Sequence, residues 1–129
     1  MNCPQKYKYT KSHEWISFFA AGTKARVGIT DFAQQQMGDI VFITLPEVGE
    51  SVIAEDVLTD FESVKAVSDI FSPVSGDISA VNEELNDAPE LLNSDPYTAW
   101  IAEIDNITET SELLDADAYE AFCLEQEGE

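Results

Sequence analysis

The sequence predicts a single domain of mainly β structure with short helices and one helix at its carboxy-terminal end. The 129 residues fit one domain of ordinary size. A hydrophobic share of 44% is ample for a packed core, even with a formal net charge of −20. Short apolar runs bounded by glycine and proline dominate the first two thirds of the chain, and clear helical spacing occurs only near the end.

Strands account for most of the predicted elements. The first two apolar runs flank Gly22 and are predicted to form a hairpin. The third run has apolar residues on both faces, so we expect it to be a buried strand. Pro46 with Gly49, and Pro73 with Gly76, mark turns. The predicted strands cover residues 15–19, 24–29, 39–45, 57–61, an extended piece ending at Phe71, 77–81 and 100–104.

Two short helical regions are predicted between these strands. Thr30 is a suitable cap for a helix over residues 31–37, and Gly38 ends it. Residues 82–93 are expected to form a loop and a short helix, interrupted by Pro89.

A longer helix is predicted near the carboxy-terminal end, over about residues 115–123. Three apolar residues four positions apart share one face, which we expect to pack on the sheet. The glutamates that follow are predicted to form a solvated tail. The three apolar residues are Leu114, Ala118 and Phe122.

The charge of the chain restricts its partners. Six basic residues stand against 26 acidic ones, so the surface repels nucleic acid and anionic membranes and favours basic faces of partner proteins. No segment reaches the roughly 18 consecutive apolar residues of a membrane span. The start has no apolar run of a signal peptide, so we expect a cytoplasmic protein. Cys3 and Cys123 form no C-x-x-C motif; a reducing compartment is the simpler interpretation, and pairing between them stays open.

Signatures of self-sufficient catalysis are absent from the sequence. It contains no glycine-rich phosphate loop and no G-x-S-x-G elbow. His13 is the only histidine, and with two distant cysteines it makes a poor metal site, so we predict no metal and a structural role for this histidine. The chain is therefore predicted not to be an enzyme.

Lys65 stands apart from the other basic residues, because no basic residue lies between Arg26 and Lys65 or after Lys65. Two segments, 48–52 and 74–78, each place a glycine between β-branched residues on either side of it. Two such similar halves would display the lysine at the tip of a hairpin. Spacing alone is equally compatible with a solvating lysine at a turn, whereas a functional interpretation requires an amine that a modifying enzyme can acylate.

The segment Glu62-Ser-Val-Lys-Ala66, followed by Ser72-Pro-Val-Ser-Gly76, closely resembles the lipoylation segment of the glycine cleavage system H-protein family. The resemblance extends from about Tyr7 to Phe122. Further matching blocks are Tyr9-Thr-Lys-Ser-His-Glu-Trp15, Val27-Gly-Ile-Thr-Asp31, Gly38-Asp-Ile-Val-Phe42, Leu45-Pro-Glu-Val-Gly49, Asn93-Ser-Asp-Pro-Tyr97 and Leu114-Asp-Ala-Asp-Ala-Tyr119.

The resemblance implies a barrel-sandwich hybrid fold of the hammerhead, lipoyl-domain type, with a carboxy-terminal helix. We expect one lipoyl-carrier domain over residues 1–129, with a core of about 7–122 and flexible ends at 1–6 and 124–129. The resemblance also implies lipoate bound covalently to Lys65, with Glu62 and Ser63 belonging to the modification motif.

Family membership would make the chain a shuttle among three enzymes, whose cofactors would carry out the bond-breaking steps. The lipoyl-lysine would take an aminomethyl group from a pyridoxal-phosphate glycine decarboxylase to a tetrahydrofolate-dependent aminomethyltransferase, and dihydrolipoamide dehydrogenase would then reoxidise it. A lipoate ligase or lipoyl-transfer enzyme would attach the lipoate. We expect the carrier to be a monomer.

The family's cleft for the loaded arm corresponds here to Ser12, Glu14 and Asp69. Carboxylates and hydroxyls suit the cationic amine at the end of such an arm. Two departures from the family stand near this region. Gln36 replaces a histidine that relatives often have, and the segment 97–100 is one residue shorter than usual, so we expect a tighter loop.

Other carriers share parts of this pattern. A biotin carrier usually has methionine on both sides of its lysine, where this chain has Val64 and Ala66. Lipoyl domains of 2-oxoacid dehydrogenases usually have aspartate directly before the lysine. An H-like protein that mainly relays lipoate to other enzymes would look the same at Lys65, and an unmodified scaffold is the last alternative.

Overall fold

A computed structural model describes residues 3–127 and shows a mainly β protein, which confirms the predicted fold class. Within these residues the strands are β1 (Lys8–Tyr9), β2 (Glu14–Phe19), β3 (Lys24–Ile29), β4 (Ile40–Ile43), β5 (Ser51–Val52), β6 (Val57–Ser63), β7 (Val67–Phe71), β8 (Val74–Val81) and β9 (Ala102–Thr110). The helices are α1 (Asp31–Met37), α2 (Glu84–Asp87), α3 (Leu91–Ser94) and α4 (Ala116–Glu127), and a 3-10 turn spans Ala20–Gly22.

The strands form two antiparallel sheets around one apolar core. The larger sheet has the order β1-β2-β3-β9-β8-β5, and the smaller has the order β4-β6-β7. Both sheets contribute buried side chains to a single cluster, as expected of a barrel-sandwich hybrid. Among them are Ile16, Val27 and Ile104 from the larger sheet and Ile43, Phe61 and Ile70 from the smaller one.

The first helix has the predicted bounds and caps. The Thr30 hydroxyl accepts a hydrogen bond from the Ala33 amide at 3.2 Å, as an N-cap does. Gly38 follows the last turn with a φ of 75°, a conformation that favours glycine. This glycine matters for the site, because the chain passes directly beneath Lys65 here.

The two segments that resemble each other pair across the larger sheet. Ser51 lies opposite Asp77, and Val52 lies opposite Gly76, in the β5–β8 ladder. Gly76 therefore lies inside a strand, and its prediction as a turn residue is wrong. A Cβ atom there would lie 2.5 Å from the Asp105 carbonyl oxygen, so the close approach of β9 requires glycine.

Two strand predictions need correction. The strand predicted over residues 39–45 corresponds to β4 and is only half buried: Ile40 and Ile43 are buried, whereas Val41 and Phe42 are 50% and 57% exposed. The smaller sheet has one face toward solvent, and a bulge between Ile40 and Phe42 turns two consecutive side chains outward. The last strand begins two residues later than predicted and continues to Thr110, and the short strands β1 and β5 were not predicted.

The carboxy-terminal helix covers an aromatic cluster beside the core. Its buried face consists of Ala116, Tyr119 and Cys123. Leu114 and Phe122 are partly buried against the same cluster, as predicted, whereas Ala118 is exposed and its predicted place is wrong. The rings of Tyr119 and Tyr9 stack at a centroid distance of 4.7 Å, and this contact sets the helix rotation. The helix also continues to Glu127, four residues beyond the predicted end, because the expected tail retains helical hydrogen bonding.

The amino-terminal residues that the structure describes contact this cluster. The Tyr9 hydroxyl donates to the Pro4 carbonyl at 2.6 Å, and Gln5 donates to Asp117 of α4. The predicted flexible ends fall partly on residues 1, 2, 128 and 129, which lie outside the described residues. Cys3 and Cys123 are both thiols. In residues 3–127, no helix has the length and apolar character needed to cross a membrane.

Candidate functional site

Lys65 lies at the tip of the β6–β7 hairpin, in a three-residue turn. The Ser63 side chain organises this turn. Its hydroxyl oxygen accepts hydrogen bonds from the amides of Lys65 and Ala66 at 3.1 and 3.2 Å, and its own amide donates to the Ala66 carbonyl at 2.8 Å. The hydroxyl therefore fixes the backbone that presents the lysine.

The stem of Lys65 crosses the end of α1. A Cβ atom built on Gly38 would lie 3.5 Å from Lys65 Cε, so the glycine leaves room for the lysine. The Val64 amide donates to the Asp39 carbonyl at 3.0 Å and ties the tip to this segment. Asn93 holds the segment from below, donating to the Gly38 carbonyl and accepting from the Ile40 amide, both at 2.8 Å.

The surface around the lysine is open, and it is apolar with acidic neighbours. Phe42, Glu62 and Val67 form one cross-strand row on the solvent face of the smaller sheet. All three are exposed, as are Val64 and Lys65. In the described part of the chain the ion pairs are Lys11–Glu112 and Arg26–Glu103, so the lysine amine takes part in none of them.

The three residues predicted for the cleft line one cavity of about 110 Å³. The start of β2 and the turn before it provide Ser12 and Glu14, and β7 provides Asp69 on the opposite wall. Helix α1 forms the third wall. The other lining residues are His13, Ile29, Ala33, Gln36, Met37, Phe61, Ser68 and Ile70.

Glu14 places a carboxylate at the bottom of this cavity, with only 2% of the residue exposed. Thr10 and Ser12 each donate a hydroxyl hydrogen bond of 2.6 Å to its Oε1 atom, and the Phe71 amide approaches Oε2 at 3.4 Å. Burial raises the pKa of Glu14, and these hydrogen bonds oppose the increase. Asp69 by contrast is exposed at the mouth.

A larger cavity of about 380 Å³ adjoins the first and shares Ser12 and Glu14 with it. Its mouth carries the ion pair of Lys11 with Glu112, whose charged atoms are 3.8 Å apart. Both members are largely exposed, so this pair contributes little rigidity. Glu14 therefore has a cavity on each side of its carboxylate.

His13 has the structural setting that its isolation in the sequence suggested. Its Nδ1 atom is 2.8 Å from the Tyr119 hydroxyl, and its Nε2 atom is 3.0 Å from Oε1 of Gln126. Burial lowers the pKa of His13, so its neutral form is favoured. Gln36, which replaces the family's frequent histidine, lines the cleft from α1 and is exposed.

The shortened segment before Trp100 forms a tight turn. The Thr98 and Ala99 amides both donate to the Asp95 carbonyl, at 3.2 and 2.9 Å. The Trp15 indole then donates to the Pro96 carbonyl at 2.9 Å and fixes this turn on the aromatic cluster. This turn lies away from the cleft residues.

Sequence analysis missed several residues that shape the site. Thr10 and Phe71 hold the Glu14 carboxylate, Gly38 and Asn93 support the lysine, and Tyr119 contacts His13. Most of these residues lie in or beside the blocks that resemble the family, and this proximity was the only indication in the sequence that they belong to the site. Among residues 3–127, no group of three or more His, Cys, Asp or Glu side chains is arranged to hold a metal ion.

Comparison with known proteins gives a consistent result over nearly the whole chain. The family model described as glycine cleavage H-protein matches residues 7–126. The glycine cleavage system H protein of Acidobacterium capsulatum is 51% identical over 130 residues, covering 99% of both chains. That of Klebsiella pneumoniae is 55% identical over 124 residues, covering 94% of this chain and 95% of the relative. The crystal structure of a glycine cleavage system H protein from Mycobacterium marinum superposes with a TM-score of 0.86 at 41% identity, covering 98% and 99% of the two chains.

Proposed function

The chain belongs to the glycine cleavage H-protein family, and we propose that it is a shuttle whose arm is lipoate joined to Lys65. The carrying observation is an exposed lysine in a turn fixed by Ser63, with its stem crossing Gly38 at the end of the helix that lines the cleft of Glu14 and Asp69. The bond is an amide between the lipoate carboxyl and Nζ, formed with loss of water and driven by ATP on the attaching enzyme. The formal charge of the chain changes from −20 to −21.

The residues around Lys65 fit this attachment. The Lys65 amine forms no ion pair with any of residues 3–127, so it is available to an acylating enzyme. The exposed row of Phe42, Glu62 and Val67 offers that enzyme a surface to contact. Glu62 and Ser63 act differently here. Ser63 shapes the turn through its hydroxyl, whereas Glu62 faces solvent beside the lysine.

Attached lipoate supplies a disulfide that accepts two electrons together with an aminomethyl group. The chain's own part is to hold the cationic end of the arm. Glu14 offers a buried carboxylate to an ammonium group, and an adjacent cation favours the ionised form that burial alone disfavours. Ser12 adds a hydroxyl, Asp69 adds a second carboxylate at the mouth, and the cavity walls restrict water.

The partners in this proposal carry the bond-breaking chemistry. They are a pyridoxal-phosphate glycine decarboxylase, a tetrahydrofolate-dependent aminomethyltransferase and dihydrolipoamide dehydrogenase, with a lipoate ligase or lipoyl-transfer enzyme for loading. The carrier acts as a monomer in the cytoplasm, where the ATP for lipoate activation is available.

Reconstitution of the shuttle tests the proposal. The lipoylated chain is mixed with the three enzymes, isotope-labelled glycine, tetrahydrofolate and NAD, and the label reaching the folate is measured. Transfer should require the chain and should disappear with Lys65→Arg, whereas Lys24→Arg should leave it unchanged. If transfer fails with lipoylated wild-type chain while the lipoyl mass moves to other acceptor proteins, the chain is a lipoate relay instead.

A further inference from the structure

The hydroxyl of Tyr119 connects two segments that are far apart in sequence. It lies 2.8 Å from Nδ1 of His13 and 2.7 Å from the hydroxyl oxygen of Thr30. Tyr119 is completely buried in α4, and its ring stacks on Tyr9. None of its atoms is among those that line the cleft, so any effect on the cleft passes through these two partners.

The two partners belong to different walls of that cleft. His13 stands between Ser12 and Glu14 on one wall. Thr30 caps α1 through the Ala33 amide, and α1 forms another wall. A backbone hydrogen bond of 3.1 Å from the Thr30 amide to the His13 carbonyl joins the walls directly. One phenol therefore bridges the side chains of both walls.

The backbone at His13 is in a conformation that a residue with a side chain rarely adopts, with a φ of 72°. Such a conformation persists where the surroundings hold it. Here the imidazole lies 4.6 Å from the Phe32 ring and 5.9 Å from the Phe122 ring, between centroids, and both nitrogens have partners. The turn that aims Ser12 and Glu14 into the cleft is thus fixed by contacts to α1 and α4.

The hydrogen bonds form one directed chain. Oε1 of Gln126 can only accept, so His13 Nε2 carries the ring proton and Nδ1 accepts. The Tyr119 hydroxyl then donates to Nδ1 and accepts from the Thr30 hydroxyl, whose oxygen accepts from the Ala33 amide. Every donor in the chain has an acceptor, and burial of the ring, which lowers the pKa of His13, is consistent with a neutral imidazole.

We propose that Tyr119 is a positioning residue that holds the Ser12–Glu14 wall and the α1 wall at the spacing that the docked arm requires. This inference rests on the proposed function, because the arm is what the cleft would hold. It gives α4 a role beyond covering the aromatic cluster: the helix supplies the bridge between the two walls.

The matched variants are Tyr119→Phe and Tyr9→Phe. Each removes one phenol hydroxyl from the same stacked pair, but the Tyr9 hydroxyl donates to the Pro4 carbonyl and touches neither wall. Thr30→Val and Thr30→Ser form a second pair, of which the serine variant keeps the hydroxyl. This pair also serves if Tyr119→Phe does not fold.

The first readout needs no lipoate. His13 is the only histidine, so the ring nitrogen signals in a 15N NMR spectrum belong to it without further assignment. Wild type should show a protonated Nε2 and an unprotonated, hydrogen-bonded Nδ1. Tyr119→Phe should shift the Nδ1 signal and mix the two tautomers, whereas Tyr9→Phe should leave both signals in place.

The second readout is the rate at which the loaded arm loses its amine to water. Loss of a single neutral hydrogen bond should raise this rate by about three- to tenfold in Tyr119→Phe and Thr30→Val, with Tyr9→Phe and Thr30→Ser near wild type. Equal rates in Tyr119→Phe and Tyr9→Phe, together with a faster rate in Glu14→Gln, would overturn the positioning role of Tyr119 and leave the proposed cleft intact. A rate unchanged in Glu14→Gln as well overturns the cleft itself, and the positioning role with it.

Discussion

At the scale of single residues, the proposed docking of an amine in the cleft depends on Glu14. Its carboxylate is nearly inaccessible to bulk water, and its hydrogen bonds come from two hydroxyls and one amide rather than from a cation. When this carboxylate is ionised, it has no cation among its hydrogen-bond partners in the part of the chain that the structure describes. A cationic ligand supplies the missing charge, which explains why a carrier would keep so costly a group buried.

Replacing Glu14 with glutamine should loosen the docked arm without affecting its attachment. A charge-assisted hydrogen bond contributes roughly 1.5–3 kcal/mol, so the amine end should be lost to water about tenfold faster or more. Asp69→Asn should act in the same direction. Mass spectrometry over time measures the loss, and Glu112→Gln, which neutralises an exposed carboxylate of the neighbouring cavity, is the control. Unchanged rates in both Glu14→Gln and Asp69→Asn would remove these residues from the site.

The raised pKa of Glu14 also predicts a pH dependence of stability. Between the ordinary glutamate value and the raised one, the folded chain binds a proton that the unfolded chain has released. The contribution of Glu14 to stability therefore decreases as pH rises through this window and is constant above it. Urea unfolding of unlipoylated wild type and Glu14→Gln should show a difference that grows in favour of the variant across the window. A difference independent of pH contradicts the burial effect.

The residues of the site differ in how far the sequence could identify them. Resemblance to a family predicted Lys65, Ser12, Glu14 and Asp69 as site residues, and the structure brings the last three into one cavity. It could not identify Tyr119 as a neighbour of His13, because 106 positions separate them and only the docking of α4 brings them together. Periodicity and spacing contain no information about such a contact.

At the scale of elements, the β6–β7 hairpin holds the backbone at Lys65 in a defined conformation. Its turn depends on Ser63, and its underside rests on the segment after α1, which Asn93 holds in place. Three parts of the chain therefore fix the backbone from which this exposed side chain projects. A turn that is already ordered lowers the entropic cost of its binding to a modifying enzyme.

Ser63→Ala should slow lipoylation while leaving the fold intact. The variant loses the hydroxyl that accepts from the Lys65 and Ala66 amides, so the tip samples other conformations. At about 0.5–1.5 kcal/mol for a net hydrogen bond, kcat/KM of a lipoate ligase should decrease by about two- to tenfold. Ser51→Ala, which removes an exposed hydroxyl bonded to Asp77, is the control. Equal rates for the two variants would exclude a role for the Ser63 hydroxyl.

Element predictions succeeded where local signals decide the structure and failed where packing decides it. The cap Thr30 and the stop Gly38 bounded α1 correctly. The buried face of α4 was predicted from a four-residue spacing, but the stacking of Tyr119 on Tyr9 rotates the helix so that Ala118 is exposed. The exposure of Phe42 likewise results from a bulge, which alternation does not reveal.

At the scale of the whole molecule, charge is distributed very unevenly. Five of the six basic residues lie in the first 26 positions, and Lys65 is the sixth. Under the proposed function, lipoylation would neutralise that last one and leave the exposed Val64 and Val67 and the acidic Glu62 beside the arm. A shuttle that must find and release several partners benefits from such a field, because steering raises association rates without a large buried interface.

Association with the decarboxylase and transferase should therefore weaken as salt is added. Raising ionic strength from low to physiological values shortens the Debye length to about 8 Å and should increase the apparent Michaelis constant for the lipoylated chain. Turnover at saturation should change little. A neutral small-molecule lipoamide substrate is the control for salt effects on the enzymes themselves. A Michaelis constant for the chain that does not change with salt would show that steering is not the role of the acidity.

Covalent attachment of lipoate at Lys65 is the central claim, and intact-mass measurement tests it most directly. The unmodified chain is incubated with lipoate, ATP and a lipoate ligase, and the product is weighed and digested to locate the added group. We predict a gain of one lipoyl mass on the peptide that contains Lys65, the same gain in Lys24→Arg, and none in Lys65→Arg. Modification that persists in Lys65→Arg, or a biotinyl mass on protein from the native host, would contradict the account.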